Sequence, residues 1–412
     1  MPQGSSNERA GRYIRQLTGY SAFVPALLPP NPPIDTTQFT KLLSDADRAL
    51  GRLDGVATML PNPDLFVAMY VKHEAVQSSQ IEGTQSTLVD ILEFEAGKGT
   101  DGELKDVEEV VNYVRAMNHG LARLREGFPL SLRLIREIHE VLLEGVRGAH
   151  KARGEFRTTQ NWLGPANCTL ADADYIPPAP HDMKAALDNF EKFLHEREEL
   201  PTLVHCALAH AQFETIHPFL DGNGRVGRLL ITLLLCERGV LLQPLLYLSY
   251  YLKAHRAQYY DRLTAIRTEG DWESWTKFFL TGVYEVSQAA TDTARQILEL
   301  KELHRELVQS APGGANALGL LEALFRTPVL SIKKAGEHLG CSFVTAGKRV
   351  QQLESLGILR ETTGQQKNRM YSYDAYLSLF DRQAFVQAGQ PSAPGAEGLS
   401  RSDFSFDALL QD

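Results

Sequence analysis

His217-Pro218-Phe219-Leu220-Asp221-Gly222-Asn223-Gly224-Arg225-Val226-Gly227-Arg228 brings side chains of complementary chemistry into a dozen positions. The stretch lies between two helical patterns, so it is read as a loop that opens a helix. Gly222 and Gly224 tolerate φ > 0 and let a ligand approach the backbone closely. The N–H groups at a helix start, with the helix dipole, attract an anion. Arg225 and Arg228 are three apart and project from neighbouring turns. Asp221 is a hard oxygen ligand suited to Mg²⁺ beside phosphates. His217 can take a proton near neutral pH. A base, a metal ligand, an anion cradle and two guanidinium groups together suit phosphoryl transfer.

Competing readings of the same letters are weaker. A calcium loop would need acidic residues at alternate positions and a closing Glu. Gly222-x-Gly224-x-x-Gly227 fits the dinucleotide expression, but that motif follows a strand, and Ala207 to Ile216 read as helix. His205, His210 and His217 are spaced five and seven apart. That is not the four-residue spacing that aims two metal ligands from one helical face. His205 and His210 are expected to be packing residues.

The elements that must position this loop are mostly helical. Helical patterns run from Asp35 to about Arg125, with Thr36 or Thr37 as a cap, and Val107, Val110, Val111 and Val114 form one face. Leu130 to Val146, 182–198, 201–215, 249–268, 271–285 and about 288–310 follow as helices. Leu229 to Cys236 is apolar on nearly all sides and predicts a central buried helix. Gly154 to Pro180, rich in Gly and Pro, predicts a short hairpin or ordered loop. Residues 1 to about 12 are expected to be disordered, followed by an extended Pro-rich stretch. After Pro312-Gly313-Gly314, three helices (Leu318–Phe325, Ser331–Leu339, Ser342–Leu356) precede a two-stranded hairpin at 357–373. That is the order of a winged helix-turn-helix. The expected division is 1–34 extended, 35–125 N-terminal helical, 126–310 catalytic core, 315–380 winged helix and 383–412 disordered tail.

The chain has 412 residues, 43% hydrophobic and 23% charged, ample for a core. Its formal net charge of −9 argues against coating nucleic acid along the whole length. Between Ser331 and Tyr371, however, seven basic residues face three acidic ones. The four cysteines form no CxxC pair, which fits a reducing cytosol. No run approaches the roughly 20 apolar residues of a membrane span. The N-terminus lacks a signal-peptide pattern. The expected location is cytoplasmic, with no membrane contact.

His217 to Arg228 is similar, without departure, to the Fic signature HPFx(D/E)GNGRxxR. The resemblance extends roughly over Ile81 to Leu280, including Arg157-Thr158-Thr159-Gln160-Asn161-Trp162-Leu163-Gly164 and Tyr175-Ile176-Pro177-Pro178. It implies a mainly α fold: a Fic-type helical core with a short β-hairpin flap, here followed by the C-terminal winged helix. The implied activity is transfer of AMP from ATP to a hydroxyl of a target protein, with Mg²⁺ as the metal. His217 would be the general base and Asp221 would hold Mg²⁺. Phe219, Gly222, Asn223, Gly224 and Arg225 would shape the phosphate cradle, and Arg228 would contact the γ-phosphate. Gly224 stands where the kinase-like branch carries Lys, which favours AMP transfer.

Ser78-Ser79-Gln80-Ile81-Glu82-Gly83 resembles the family's inhibitory motif (S/T)xxxE(G/N). Ser78, Glu82 and Gly83 carry the match, and Glu82 would pair with Arg228. The segment 156–178 resembles the target-docking flap, with Thr158, Thr159 and Trp162 as its residues. Gln212, Tyr250 and Tyr251 are candidates for lining the nucleotide pocket. Expected partners are ATP, a target protein offering a Ser, Thr or Tyr hydroxyl, the chain itself through self-modification, and a second copy in a homodimer. DNA is a further candidate through the winged helix. Alternatives are a DNA-binding regulator that uses the core as a nucleotide sensor, a bifunctional enzyme that also removes AMP, or transfer of another nucleotide or phosphocholine.

Overall fold

The computed structural model describes residues 8–59, 63–97, 104–146, 148, 151–165, 167–196 and 200–387. The N-terminal half is built from α1 (Thr40–Met59), α2 (Pro63–Ile81), α3 (Leu88–Glu95), α4 (Leu104–Arg125) and α5 (Leu132–Leu142). Local chemistry sets several of these starts. Thr87 and Asp90 close a reciprocal capping box on α3, and the Ser131 side chain accepts from Leu134 N–H at the head of α5. The cap expected at Thr36 or Thr37 is instead Asp35. Its carboxylate accepts from Thr37 N–H at 3.1 Å and starts a 3₁₀ turn, Thr36–Phe39, before α1.

α6 (Pro180–His195), α7 (Thr202–Ile216), α8 (Asn223–Glu237), α9 (Ser249–Ala254), α10 (Arg256–Glu269) and α11 (Trp272–Ser310) complete the central bundle. α7 and α8 lie at its heart. Every residue of α7 from Leu203 to Ile216 is buried, and so is every residue of α8 from Arg225 to Leu235. The all-round apolar character read from Leu229 onward has this cause, because α4, α5, α6, α10 and α11 pack around the pair. Two helices expected over 271–310 are a single helix of 39 residues. Ser287-Gln288-Ala289-Ala290 contains no breaker, so nothing interrupts the backbone ladder. The helix expected over 249–268 is instead divided at His255.

Part of the segment expected to be extended over 1–34 is paired. β1 (Gly11–Arg15) and β2 (Ser21–Pro25) form an antiparallel hairpin with Tyr13 opposite Phe23. The disorder expected for residues 1 to about 12 falls partly outside the described residues, and from Gly11 onward the chain is a strand.

Beyond α11 come α12 (Leu318–Leu324), β3 (Val329–Ser331), α13 (Ile332–Leu339), α14 (Phe343–Ser355), β4 (Arg360–Glu361) and β5 (Met370–Ser372). The strands form one antiparallel sheet in the order β3-β5-β4. β3, only three residues long, is too short to show a period in sequence. α15 (Asp374–Gln387) extends past residue 383, where a disordered tail was expected to begin. The remainder of that tail, 388–412, lies outside the described residues. No helix among the described residues is long and apolar enough to cross a membrane.

Candidate active site

The loop between α7 and α8 is held by its own polar groups. α7 ends at His217, whose φ of 50° and ψ of 59° are left-handed and turn the chain sharply. Gly222, at φ 77°, opens α8. Between them Asn223 clamps Phe219 from both sides: its Oδ1 accepts from Phe219 N–H and its Nδ2 donates to Phe219 C=O, both at 2.8 Å. The Phe219 ring is buried against His139, stacked at 3.7 Å between centroids. His139 receives Gly154 N–H on Nδ1 at 3.0 Å, so its Nε2 carries the proton towards Asp221 C=O at 3.1 Å. That is the neutral tautomer, in accord with a pKa that burial pushes down to about 4. Phe219 and Asn223 therefore shape the loop from within. The first N–H groups of α8, lacking partners inside the helix, remain as donors at its mouth.

Both arginines are buried. Arg225 pairs with Glu109 of α4 at 3.1 Å, and a second guanidinium nitrogen lies 3.5 Å from Asp221. Arg228 donates Nε–H to Ser78 Oγ at 2.8 Å and Nη2–H to Ser78 C=O at 3.0 Å. Nη2 also donates to Glu82 Oε1 at 2.6 Å. Burial works to raise the Glu82 pKa, but the Arg228 charge and hydrogen bond outweigh it and hold the carboxyl below its usual range. Gly83, at φ 100°, breaks α2 and turns Glu82 inward. A Cβ at Gly224 would fall 2.3 Å from Glu82 Oε1, so the carboxylate rests directly on the first turn of α8. Glu82 thus occupies an anion position at a helix N-terminus.

Asp221 receives Gly222 N–H on Oδ1 at 2.7 Å and the Lys151 ammonium on Oδ2 at 3.0 Å. Burial opposes its ionisation, and Lys151 and Arg225 overcome that, so its pKa lies below the usual value. Burial, then Arg157, pushes the His217 pKa down to about 4, and its Nδ1 is buried with no hydrogen-bond partner among the described residues.

The segment 156–178 leans on the same loop. Arg157, almost wholly buried, donates to the carbonyls of His217 (3.0 Å) and Pro178 (2.6 Å). Leu163 and Tyr175 form an isolated antiparallel bridge, and Phe23 N–H of β2 donates to Ile176 C=O at 2.9 Å. The N-terminal hairpin therefore continues the flap sideways. Thr158 and Thr159 are exposed. Trp162 is 41% exposed, its indole N–H on Cys168 C=O, rather than sunk in the core.

The three nucleotide-pocket candidates do not gather around the loop. Gln212 turns towards the N-terminal segment and donates to Ala26 C=O at 2.8 Å. Tyr250 packs near His73 and Tyr247, and Tyr251 between His255 and Phe278. Glu214, in contrast, is a site residue that sequence reasoning missed. It is buried three residues before His217, its pKa is pushed up to about 7 by burial, and its Oε1 has no partner among the described residues. Glu74 sits beneath Arg228 in a similar state, its pKa raised to about 7 by burial despite bonds from Ser249 N–H (3.0 Å) and Tyr113 OH (3.1 Å). A carboxylate inside the mostly apolar α7 was the available signal for Glu214, whereas α2 carries Lys72, His73, Gln77 and Ser78 around Glu74 and offered none. His205 and His210 are packing residues, the first stacked on Phe193, the second bonded to Gly227 C=O and Tyr259 OH.

A helical core that presents a His-led loop at a helix N-terminus defines a known class. Residues 40–122 match the model of the Fic/DOC family N-terminal region and residues 129–235 that of the Fic/DOC family. Over these residues the chain carries a Fic domain, a little under half of its length. It is 32% identical over 213 residues to the protein adenylyltransferase Fic of Drosophila grimshawi and 31% identical over 218 residues to that of Aedes aegypti. These alignments cover 51% of this chain but only 40% and 39% of the relatives, so the matched part spans about two fifths of their length. The crystal structure of a Fic family protein from Desulfovibrio desulfuricans shares the fold, with a TM-score of 0.56 at 19% identity over 83% of this chain and 97% of that one.

Proposed function

We propose that this chain is an autoinhibited protein adenylyltransferase, moving AMP from ATP to a Ser, Thr or Tyr hydroxyl of a target protein. The observation that carries the reading is the seat of Glu82, on Arg228 and against the first turn of α8. A carboxylate there stands in for a terminal phosphate. With Glu82 withdrawn, the triphosphate takes its place, the γ-phosphate on Arg228 and the inner phosphates along the N–H groups of Gly222 to Arg225. His217, neutral at pH 7 because burial holds its pKa near 4, takes the proton of the target hydroxyl. The oxygen lone pair forms a bond to the α-phosphorus. The bond from that phosphorus to the bridging oxygen breaks, and pyrophosphate leaves with the electron pair.

Mg²⁺ fits the residues present. Asp221 is ionised and already holds a cation, the Lys151 ammonium. Mg²⁺ beside phosphates commonly takes one or two carboxylates and completes its shell with phosphate oxygens and water. Asp221 would hold it, and the bound metal would supply charge neutralisation on the phosphates. The exposed Thr158, Thr159 and Trp162 lie on a flap suited to strand addition, which would lay an extended target segment beside His217. The elements from α12 to β5, with three helices and a three-stranded sheet, support a winged-helix reading of the C-terminal module.

The test compares wild type, Glu82→Gly and Glu82→Gly/His217→Ala, each incubated with Mg²⁺-ATP and weighed as intact protein. The expected result is an AMP-sized increment by self-modification for Glu82→Gly alone. No increment in any variant that still binds ATP would instead favour a nucleotide-sensing core.

A further inference from the structure

Both segments that flank Glu82 are held by the C-terminal module. Before it, the Tyr70 and His73 rings of α2 pack on Phe380 of α15, at 5.7 and 6.1 Å. After it, α3 packs on β3. The end of α3, Glu95 to Gly97, forms one wall of a groove of about 1090 Å³. The other walls are the start of α13, Phe343 at the head of α14, and the turn that carries Lys367 and Arg369.

The groove is basic. Lys333, Lys334, Lys367 and Arg369 line it against two acids, Glu95 and Glu337. Both acids are engaged: Glu95 with Lys72 of α2 at 2.5 Å, Glu337 with Lys334 at 3.2 Å. Lys333, Lys367 and Arg369 are exposed. At the head of α14, Phe343 and Val344 are 63% and 69% exposed, which is unusual for large apolar side chains on a helix with a buried opposite face. Cations flanking an apolar helix head complement phosphates on either side of base edges, where a helix N-terminus reads the major groove and apolar groups meet thymine methyls. The site lies in a chain of net charge −9, so this attraction is local.

The same groove reaches the brake through Glu95. A phosphate entering beside Glu95 meets a like charge, and the Lys72–Glu95 pair joins α3 to α2 on either side of Glu82. That pair also borders a second cavity of about 480 Å³ between α2, α4 and Arg326, which leaves room for the seam to shift. We propose that the basic groove is a binding site for duplex DNA, and that occupying it displaces the end of α3 and draws Glu82 off Arg228. This rests on the autoinhibited reading above for its consequence, though not for the binding itself.

The full-length chain is titrated against a fluorescent mixed-sequence duplex of roughly 20 base pairs, about two helical turns. Wild type should bind with a log–log salt slope near −3, as three or four phosphate contacts require, and Lys333→Glu/Lys367→Glu/Arg369→Glu should weaken binding at least about tenfold. Amide exchange over 78–95 should quicken with duplex present. Self-modification of wild type should rise by at least about fivefold, a shift on the scale of ordinary allosteric coupling, while Glu82→Gly should not respond. Absence of duplex binding, binding indifferent to the triple substitution, or preference for polyglutamate over duplex would overturn the site. Binding that leaves exchange over 78–95 unchanged would overturn the coupling. An inactive Glu82→Gly with quickened exchange would sink the transferase reading and leave this one standing.

Discussion

At the residue scale, the site depends on charges buried with partners from distant segments. Arg225 and Glu109 have side chains only 4% and 2% exposed. Such a pair adds little net stability when intact, but removing one member strands the other in a low-dielectric interior. Glu109→Gln should therefore cost about 3–5 kcal/mol, read as a lower midpoint in urea denaturation. The α8 loop should become more mobile with it, because Arg225 also faces Asp221. An exposed pair such as Arg295–Asp292 offers the contrast, where the same deletion should stay within about 0.5 kcal/mol.

At the element scale, the N-terminal hairpin changes how the flap is understood. Phe23 is buried, its ring 6.0 Å from Tyr175 and its N–H on Ile176 C=O. Tyr175 in turn donates its hydroxyl proton to Thr215 C=O at 2.6 Å, near the end of α7. The flap is thus braced from the N-terminal side as well as by Arg157 from below. Phe23→Ala should cost about 3–5 kcal/mol locally. Hydrogen exchange over 161–176 should accelerate well before the core unfolds, because that loss falls on one element. If exchange there matched wild type, the hairpin would be an independent surface feature.

At the scale of the whole molecule, buried titratable groups set the pH range of stability. Burial pushes His73, His139, His205, His210 and His217 each down to about 4. Unfolded, each would bind a proton near pH 6.5, so their contribution is present above that value and drains away as pH falls towards 4. Glu74 and Glu214, pushed up to about 7, act in the opposite sense and favour the fold as pH falls from 7 to about 4.5. Five groups against two leave unfolding with an uptake of about three protons between pH 6 and 5, or about 4 kcal/mol per pH unit. Thermal melts should show a steep loss of stability in that window, and a flat profile would mean that these histidines are hydrated in solution. The proposed AMP transfer, measured on Glu82→Gly, should hold a steady rate from pH 8 to 6, because His217 remains neutral throughout.

What the sequence determined by itself is what lies close along the chain. His217 to Arg228 is one loop and one helix start, so residue type and spacing were enough to place that turn and to propose phosphate handling there. The buried character of α8 followed from its composition, and the caps and breakers marked most helix ends to within a few residues. Glu82 was legible only because a short motif stood beside a family signature, since 146 residues separate it from Arg228. The tertiary structure alone brought Glu109 to Arg225, Lys151 to Asp221, Glu214 against Gly227 of α8 and the β1–β2 hairpin to the flap. It also turned Gln212 away from the loop. The physical reason is common to all of these. Period and propensity report which face of an element is buried, but not which charge waits on the neighbouring element. A pair across the core is decided by packing, after the elements have formed.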